Sequence, residues 1–201
     1  MCKKKSTKTL MFLAVSAIFL LVGCSNQSIT EPPVQGLTTD QIDFVSWKAE
    51  VADVAVKTDK SIEELESLER WTIPGLDWGI VFKRFGGTVG GETTFGNKVD
   101  VPAYAFRQHF RFIVVRVVCV EDGEQCGAEV DFLPSQNFNK DVKVTLSYEY
   151  LDFDGDPSGL NIYWYDEDGD LWYLVPDPEI DTENCTVSVY VNHFTRFAWG
   201  F

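Results

Sequence analysis

The sequence predicts a mainly β protein, an antiparallel β-sandwich with a short helical N-terminal segment that follows a cleaved signal peptide. From about residue 78 onward, short runs rich in β-branched and aromatic residues follow one another closely. Residues 110–120 (FRFIVVRVVCV) are too rich in β-branched side chains for a stable helix. Residues 142–150 alternate strictly between apolar and polar, as in a strand with one buried face. Short antiparallel strands of this kind are typical of a sandwich.

The remaining strands are predicted near the C-terminus. Residues 160–165 and 171–175 flank the acidic stretch DEDGD, and its Asp-Gly pair is a hairpin signal. Residues 186–191 alternate again, and residues 194–199 are predicted to form the final strand.

Residues 40–77 are predicted to be partly helical. Ser61 and Glu64 form a capping box that should start a helix ending near Arg70. Residues 44–56 fit either a helix or an added strand.

The N-terminal residues resemble a bacterial lipoprotein leader. A basic head precedes an apolar run at residues 10–22, which is shorter than the roughly 20 residues that cross a bilayer. Leu21-Val22-Gly23-Cys24 then resembles a lipobox. That resemblance implies cleavage before Cys24 and a covalent lipid on Cys24, which would hold the protein outside the cytoplasm. The alternative is an ordinary cleaved signal with a chance cysteine.

This interpretation sets the predicted domain boundaries. Residues 1–23 form the signal peptide, 24–39 a flexible tether, 40–77 the partly helical segment and 78–201 the sandwich. Ser25 stands where many inner-membrane lipoproteins carry aspartate, so an outer-membrane location is preferred if the cell has one.

The charge balance bears on the partners. Removing the four lysines of residues 1–23 leaves 13 basic residues against 31 acidic ones, a net charge of −18. Such a charge repels nucleic acid and anionic headgroups. We therefore expect no nucleic-acid partner, and a membrane contact made through the lipid alone.

A disulfide is predicted between Cys119 and Cys126. If Asp122 and Gly123 form a two-residue turn, residues 119 and 126 face each other about 5.5 Å apart, within disulfide range. The alternative is a reduced pair packed as small apolar residues. Cys185 is then left over and is predicted to be a buried thiol.

Several segments in order resemble a ZU-five domain, the β-sandwich of zonula occludens proteins, netrin receptors and ankyrins. They are residues 85–89 (FGGTV), 99–105 (VDVPAYA), 138–148 (FNKDVKVTLSY), 160–172 and 193–198 (HFTRFA). The resemblance spans roughly residues 80–201, although residues 103–105 depart from the usual pattern.

The closing His-Phe-Thr is the sharpest candidate for chemistry. Related domains cleave themselves at such a tripeptide, and the resemblance makes His193 the general base, Thr195 the nucleophile and Phe194–Thr195 the scissile bond. This attack needs a strained backbone. The alternative is a structural corner with Phe194 in the core, and we favour it because only seven residues would be released.

Two other sites were weighed. Asp152, Asp154 and Asp156, and the similar acidic stretch at residues 166–170, could bind calcium, but neither fits an EF-hand loop and acidic turns explain both better. We expect no cofactor and no metal; the lipid on Cys24 is the one group that we expect to be attached. Tyr163, Tyr165 and Trp172 could form an exposed patch that binds a glycan or an envelope protein, or could belong to the core. The expected function is a non-enzymatic binding or structural module.

Overall fold

The computed structural model describes residues 36–58, 73–122 and 125–201. The predicted signal peptide, Cys24, most of the tether and the predicted helix at residues 61–70 lie outside the described residues. The helix is α1, Ala49–Thr58. The strands are β1 Ser46–Trp47, β2 Leu76–Phe82, β3 Gly87–Gly90, β4 Lys98–Val101, β5 Phe110–Asp122, β6 Gln125–Leu133, β7 Asn137–Ser147, β8 Leu151–Asp152, β9 Asn161–Asp166, β10 Leu171–Leu174, β11 Glu179–Asp181, β12 Thr186–His193 and β13 Arg196–Gly200.

Two antiparallel sheets pack face to face, which confirms the predicted β-sandwich. The larger sheet runs β10-β9-β13-β6-β5-β2, and β1 and β8 continue from β6 beyond the end of β13. The smaller sheet runs β11-β12-β7-β4-β3. Because alternate side chains point to opposite faces, each strand contributes every second residue to the space between the sheets.

The core between the sheets is built from strands that the alternation predicted. Val144 on β7 lies opposite Val99 on one side and Val189 on the other, and all three are buried. The larger sheet meets them with Val115, Val117 and other fully buried side chains. Burial of this kind stabilises the fold by about 1.5–3 kcal/mol for each large apolar side chain.

The ambiguous residues 44–56 form both predicted alternatives in succession. Ser46–Trp47 is the short strand β1 between β6 and β8, and the helix α1 follows it at once. The Trp47 indole nitrogen donates to the carbonyl of Val118 at 2.9 Å, and Val51 and Ala55 are buried from one face of α1. The segment before residue 78 therefore contributes to the sandwich itself.

The disulfide between Cys119 and Cys126 is confirmed, but the predicted register of its hairpin is wrong. Cys119 lies opposite Ala128 and Glu121 lies opposite Cys126, and the bond joins the two cysteines diagonally with Cα atoms 4.9 Å apart. The turn lies one residue later than predicted, because Asp122 pairs with Gln125 in the ladder. Cys185 is buried, as expected.

Within the described ranges, no helix has the length and apolar character needed to cross a membrane.

Candidate functional site

The His193-Phe194-Thr195 corner joins the end of β12 to the start of β13. Phe194 is 2% exposed, and its ring centroid lies 4.6 Å from that of Phe138 and 6.0 Å from that of Phe132. Its backbone N–H donates to the carbonyl of Gln136 at 2.9 Å. Phe194 therefore anchors the corner in the core.

The Thr195 hydroxyl is held by the neighbouring strand. It donates a short hydrogen bond to the carbonyl of Tyr165 at the end of β9, and Thr195 is 4% exposed. The His193 ring lies elsewhere: its Nδ1 is 3.1 Å from Asn192 Oδ1, and its ring packs edge-on against Trp164 at 5.2 Å. The backbone angle φ is not positive at any of the three corner residues. The structure thus places the three predicted residues together without directing the hydroxyl towards the imidazole.

Burial lowers the pKa of His193, because the charged imidazolium loses its hydration. The nearby carboxylate of Asp166 acts in the opposite direction and is the smaller influence. The ring is therefore biased towards its neutral form near neutral pH, in which one nitrogen can donate and the other accept a hydrogen bond.

An open polar cleft of about 310 Å³ lies beside this corner. One wall carries the acidic turn after β9, where Glu167 accepts a hydrogen bond from Ser135 at 2.9 Å. Gln136 and Trp164 also line the cleft. Both polar atoms of the Gln136 amide and the indole nitrogen of Trp164 are shielded from solvent and lack a hydrogen-bond partner among the described residues.

Sequence analysis missed this cleft. Gln136 belongs to no motif, and Trp164 belongs to an aromatic run for which core packing is the favoured interpretation. Unpaired buried polar groups cost about 1–3 kcal/mol each, and they are conspicuous only when their surroundings are known. The cleft itself is lined by the carboxylates of the acidic turn and by Ser135, with the unpaired amide of Gln136 and indole of Trp164 beneath its surface.

The predicted aromatic patch does not lie open. Tyr163 is 5% exposed and Trp172 is 3% exposed, so of the two alternatives these residues follow core packing and not the exposed ligand patch. They pack with Ile42, Phe44 and Ala198 in a second, smaller core. Tyr165 is half-buried against the same cluster, and its hydroxyl donates to Asp170 Oδ1 at 2.5 Å. That bond raises the pKa of Tyr165.

The acidic stretches form capped turns. Asp156 Oδ1 accepts a hydrogen bond from the Ser158 N–H at 3.0 Å, which lowers the pKa of Asp156. Asp166 Oδ1 accepts from the Asp168 N–H at 3.2 Å. In the part of the chain that the structure describes, no three metal-ligating side chains lie close enough together to hold an ion.

No known protein family matches this chain, and no curated protein matches it either.

Proposed function

We propose that this protein is a lipid-anchored, extracytoplasmic cell-envelope protein whose ZU-five-like β-sandwich is a non-enzymatic binding or structural module. The observation that supports this over self-cleavage is the corner at Thr195. Its hydroxyl donates to the carbonyl of Tyr165, and the preceding Phe194 is packed in the core. Attack on the Phe194 carbonyl would require the hydroxyl to leave that bond and the backbone to adopt a strained conformation.

The proposal is tested by the mass of the mature protein after denaturation. We expect one species that begins at Cys24, carries acyl chains on that residue and retains residues 195–201. A shortened species that lacks residues 195–201 would establish self-cleavage instead, provided that a Thr195→Ala variant does not form it. A protein that retains residues 1–23 without lipid would refute the anchor.

The cleft beside His193 favours a second candidate, the binding of a glycan. Sugars offer hydroxyl groups that both donate and accept, and the unpaired amide of Gln136 and indole N–H of Trp164 lie just beneath the cleft, where a sugar would meet them once the groups that shield them move aside. A ligand hydroxyl that paired with these groups would offset the cost of their burial. The indole face of Trp164 could not stack on a sugar, since it already lies against Tyr173 at 4.9 Å.

Titration with solubilised peptidoglycan fragments tests this candidate. Binding should shift the intrinsic tryptophan fluorescence, and Gln136→Ala and Trp164→Phe should weaken it by tenfold or more, since each removes a buried hydrogen bond. Trp78→Phe, on the opposite edge of the sheet, is the matched control. Fluorescence that stays constant, or an equal loss in all three variants, would argue against a glycan site here.

A further inference from the structure

The outer face of the larger sheet, the face turned away from the smaller sheet, carries open apolar side chains on β2 and β5. Ile80 lies opposite Phe112 and Phe82 lies opposite Phe110, with Trp78 beside them. These five side chains are 42–57% exposed. We call them, together with Phe85 and Tyr104, the β2–β5 patch. β2 is also the last strand of its sheet in the pairing order, and β3 lies beside it through the Phe82–Gly86 bridge, so it is the outer face of β2 and β5 that stays open.

The patch continues past the end of the sheet onto two turns. Phe85 is 77% exposed and Tyr104 is 53% exposed. The turns are held together, because the Tyr104 N–H donates to the Lys83 carbonyl at 2.7 Å and the Lys83 N–H donates to the His109 carbonyl at 2.9 Å. Seven large side chains exposed to this degree present roughly 600 Å² of apolar surface, at the upper limit for a monomeric protein.

The same end of the molecule is locally basic, in contrast to the chain as a whole. Residues 78–91 and 101–120 contain no acidic residue. Each cation at this end lies outside the ion pairs found among the described residues, whereas Lys98, Arg116, Lys143 and Arg196 are all paired. The cations at this end are Lys83, Arg84, Arg107 and Lys140; Arg111 lies between Phe110 and Phe112 on β5, so its side chain is on the other face of the sheet.

These cations are arranged around the aromatic residues. The Lys83 ammonium donates to the carbonyl of Arg107 at 3.2 Å, and the Lys140 ammonium lies 5.7 Å from the centre of the Tyr104 ring. The acidic turn after β9 lies at the other edge of the larger sheet, with β13, β6 and β5 between β9 and β2. Aromatic and basic residues therefore share one edge, and the acidic residues of that turn are displaced from it.

We propose that the β2–β5 patch docks on the anionic, phosphate-bearing surface of a lipid bilayer. Aromatic rings settle at the depth of the headgroups, with their apolar part towards the acyl chains. Lysine and arginine beside them are each attracted to anionic headgroups within a Debye length. The sequence-based expectation of a membrane contact through the lipid alone rests on the net charge of the whole chain and does not describe this local distribution.

The length of the proposed tether permits this contact, although Leu37 joins the sandwich at β10, the edge of the larger sheet opposite β2. Only twelve residues separate Cys24 from Leu37, the first residue paired to the sandwich, so the chain between them reaches at most roughly 40 Å. A domain confined so close to a bilayer meets the surface at a high effective concentration. This step alone rests on the proposed function; the patch and its charges do not.

The test uses the full chain reconstituted in vesicles of phosphatidylglycerol and phosphatidylcholine that carry a doxyl quencher near the headgroup. Of the tryptophans in the described ranges, Trp78 is 42% exposed and each of the others at most 7%. We expect the quenching of tryptophan fluorescence to fall at least twofold in the Trp78→Phe variant and in the double variant Lys83→Glu, Arg84→Glu. It should fall equally when wild type meets vesicles of pure phosphatidylcholine. The double variant Lys48→Glu, Lys98→Glu changes the charge equally away from the patch and should behave as wild type.

Three results would overturn the proposal. One is quenching that is the same in wild type and Trp78→Phe. Another is quenching that ignores lipid charge and the Lys83 and Arg84 reversals. The third is sedimentation that shows a dimer dissociated by Phe112→Ser, which would assign the patch to a second copy of the chain. The mass of the same sample reports on acylation at Cys24 separately, so the anchor and the docking surface can fail independently.

Discussion

The two ends of the larger sheet's outer face carry similar side chains and have opposite surroundings. At the β9–β10 end, Tyr163 and Trp172 are covered by residues 37–44 and form a second core. At the β2–β5 end, Trp78, Ile80 and Phe112 are open. The difference comes from the path of the N-terminal segment, since Leu37 pairs with Trp172 and Phe44 pairs with Gly200. Whether an aromatic run is exposed therefore depends on segments that are distant in the sequence, and it cannot be inferred from the run itself.

The covered end should respond most to truncation. Phe44→Ala removes a ring that is 8% exposed and lies 5.5 Å from Trp172, and we expect a loss of about 3 kcal/mol in the free energy of unfolding. Urea denaturation measures it. Phe112→Ala is the matched control at the open end and should cost less than about 1 kcal/mol. Equal losses at the two ends would mean that the open end is covered in solution.

A buried ion pair lies between the two ends. Asp131 accepts from Arg116 Nε at 2.9 Å and Nη2 at 2.8 Å, and Arg196 Nε lies 4.0 Å from the same carboxylate. Asp131→Ala should cost about 3 kcal/mol, because it leaves cationic side chains without their partner. The double variant Arg116→Met, Asp131→Leu should regain much of that stability. A loss below about 1 kcal/mol for Asp131→Ala alone would show that the pair is solvated.

Polar substitution at the open end should change the surface more than the stability. Ile80→Thr with Phe112→Ser keeps side chains suited to a strand and removes two exposed apolar groups. We expect a change in unfolding free energy within about 1 kcal/mol and a clear drop in the binding of an apolar fluorescent dye. Undiminished dye binding would place the dye-accessible surface elsewhere.

The smallest effect concerns pH. Burial lowers the pKa of His193 in the fold, so below about 6.5 the unfolded chain binds more protons than the native one. This contribution to stability is present above the unfolded pKa and is lost as pH falls through the folded pKa. When the pH is lowered from 7.5 to 5.5, the urea concentration at the unfolding midpoint should decrease less in His193→Gln than in wild type. His109→Gln, exposed on the surface, should retain the wild-type difference.

Local patterns sufficed for much of the fold. Alternation identified β7, β-branched density identified β5, and the two cysteines of the hairpin were paired correctly. The strand β1 was not identified, because a strand of two residues is too short to show the alternation of apolar and polar side chains. The hairpin register was wrong, since Asp122-Gly123 marks a turn without fixing which residues close it.

The candidate sites were less predictable because they depend on packing between distant segments. From the sequence, Trp172 fits either an exposed patch or the core, and the choice is settled only by Phe44, which packs against it from a distant segment. Gln136 has no signal in the sequence, and its importance arises from the cleft between the β9 turn and the corner at His193. The basic edge was hidden by the large negative net charge of the chain, which averages over its distribution.

Hydrogen exchange of the full chain on vesicles containing phosphatidylglycerol tests the central contrast most directly. We expect residues 78–85 and 104–112 to gain protection when the bilayer is present, while residues 37–44 and 163–173 are protected to the same degree with and without it. Protection gained at residues 163–173, or unchanged exchange at residues 78–85 and 104–112, would contradict it.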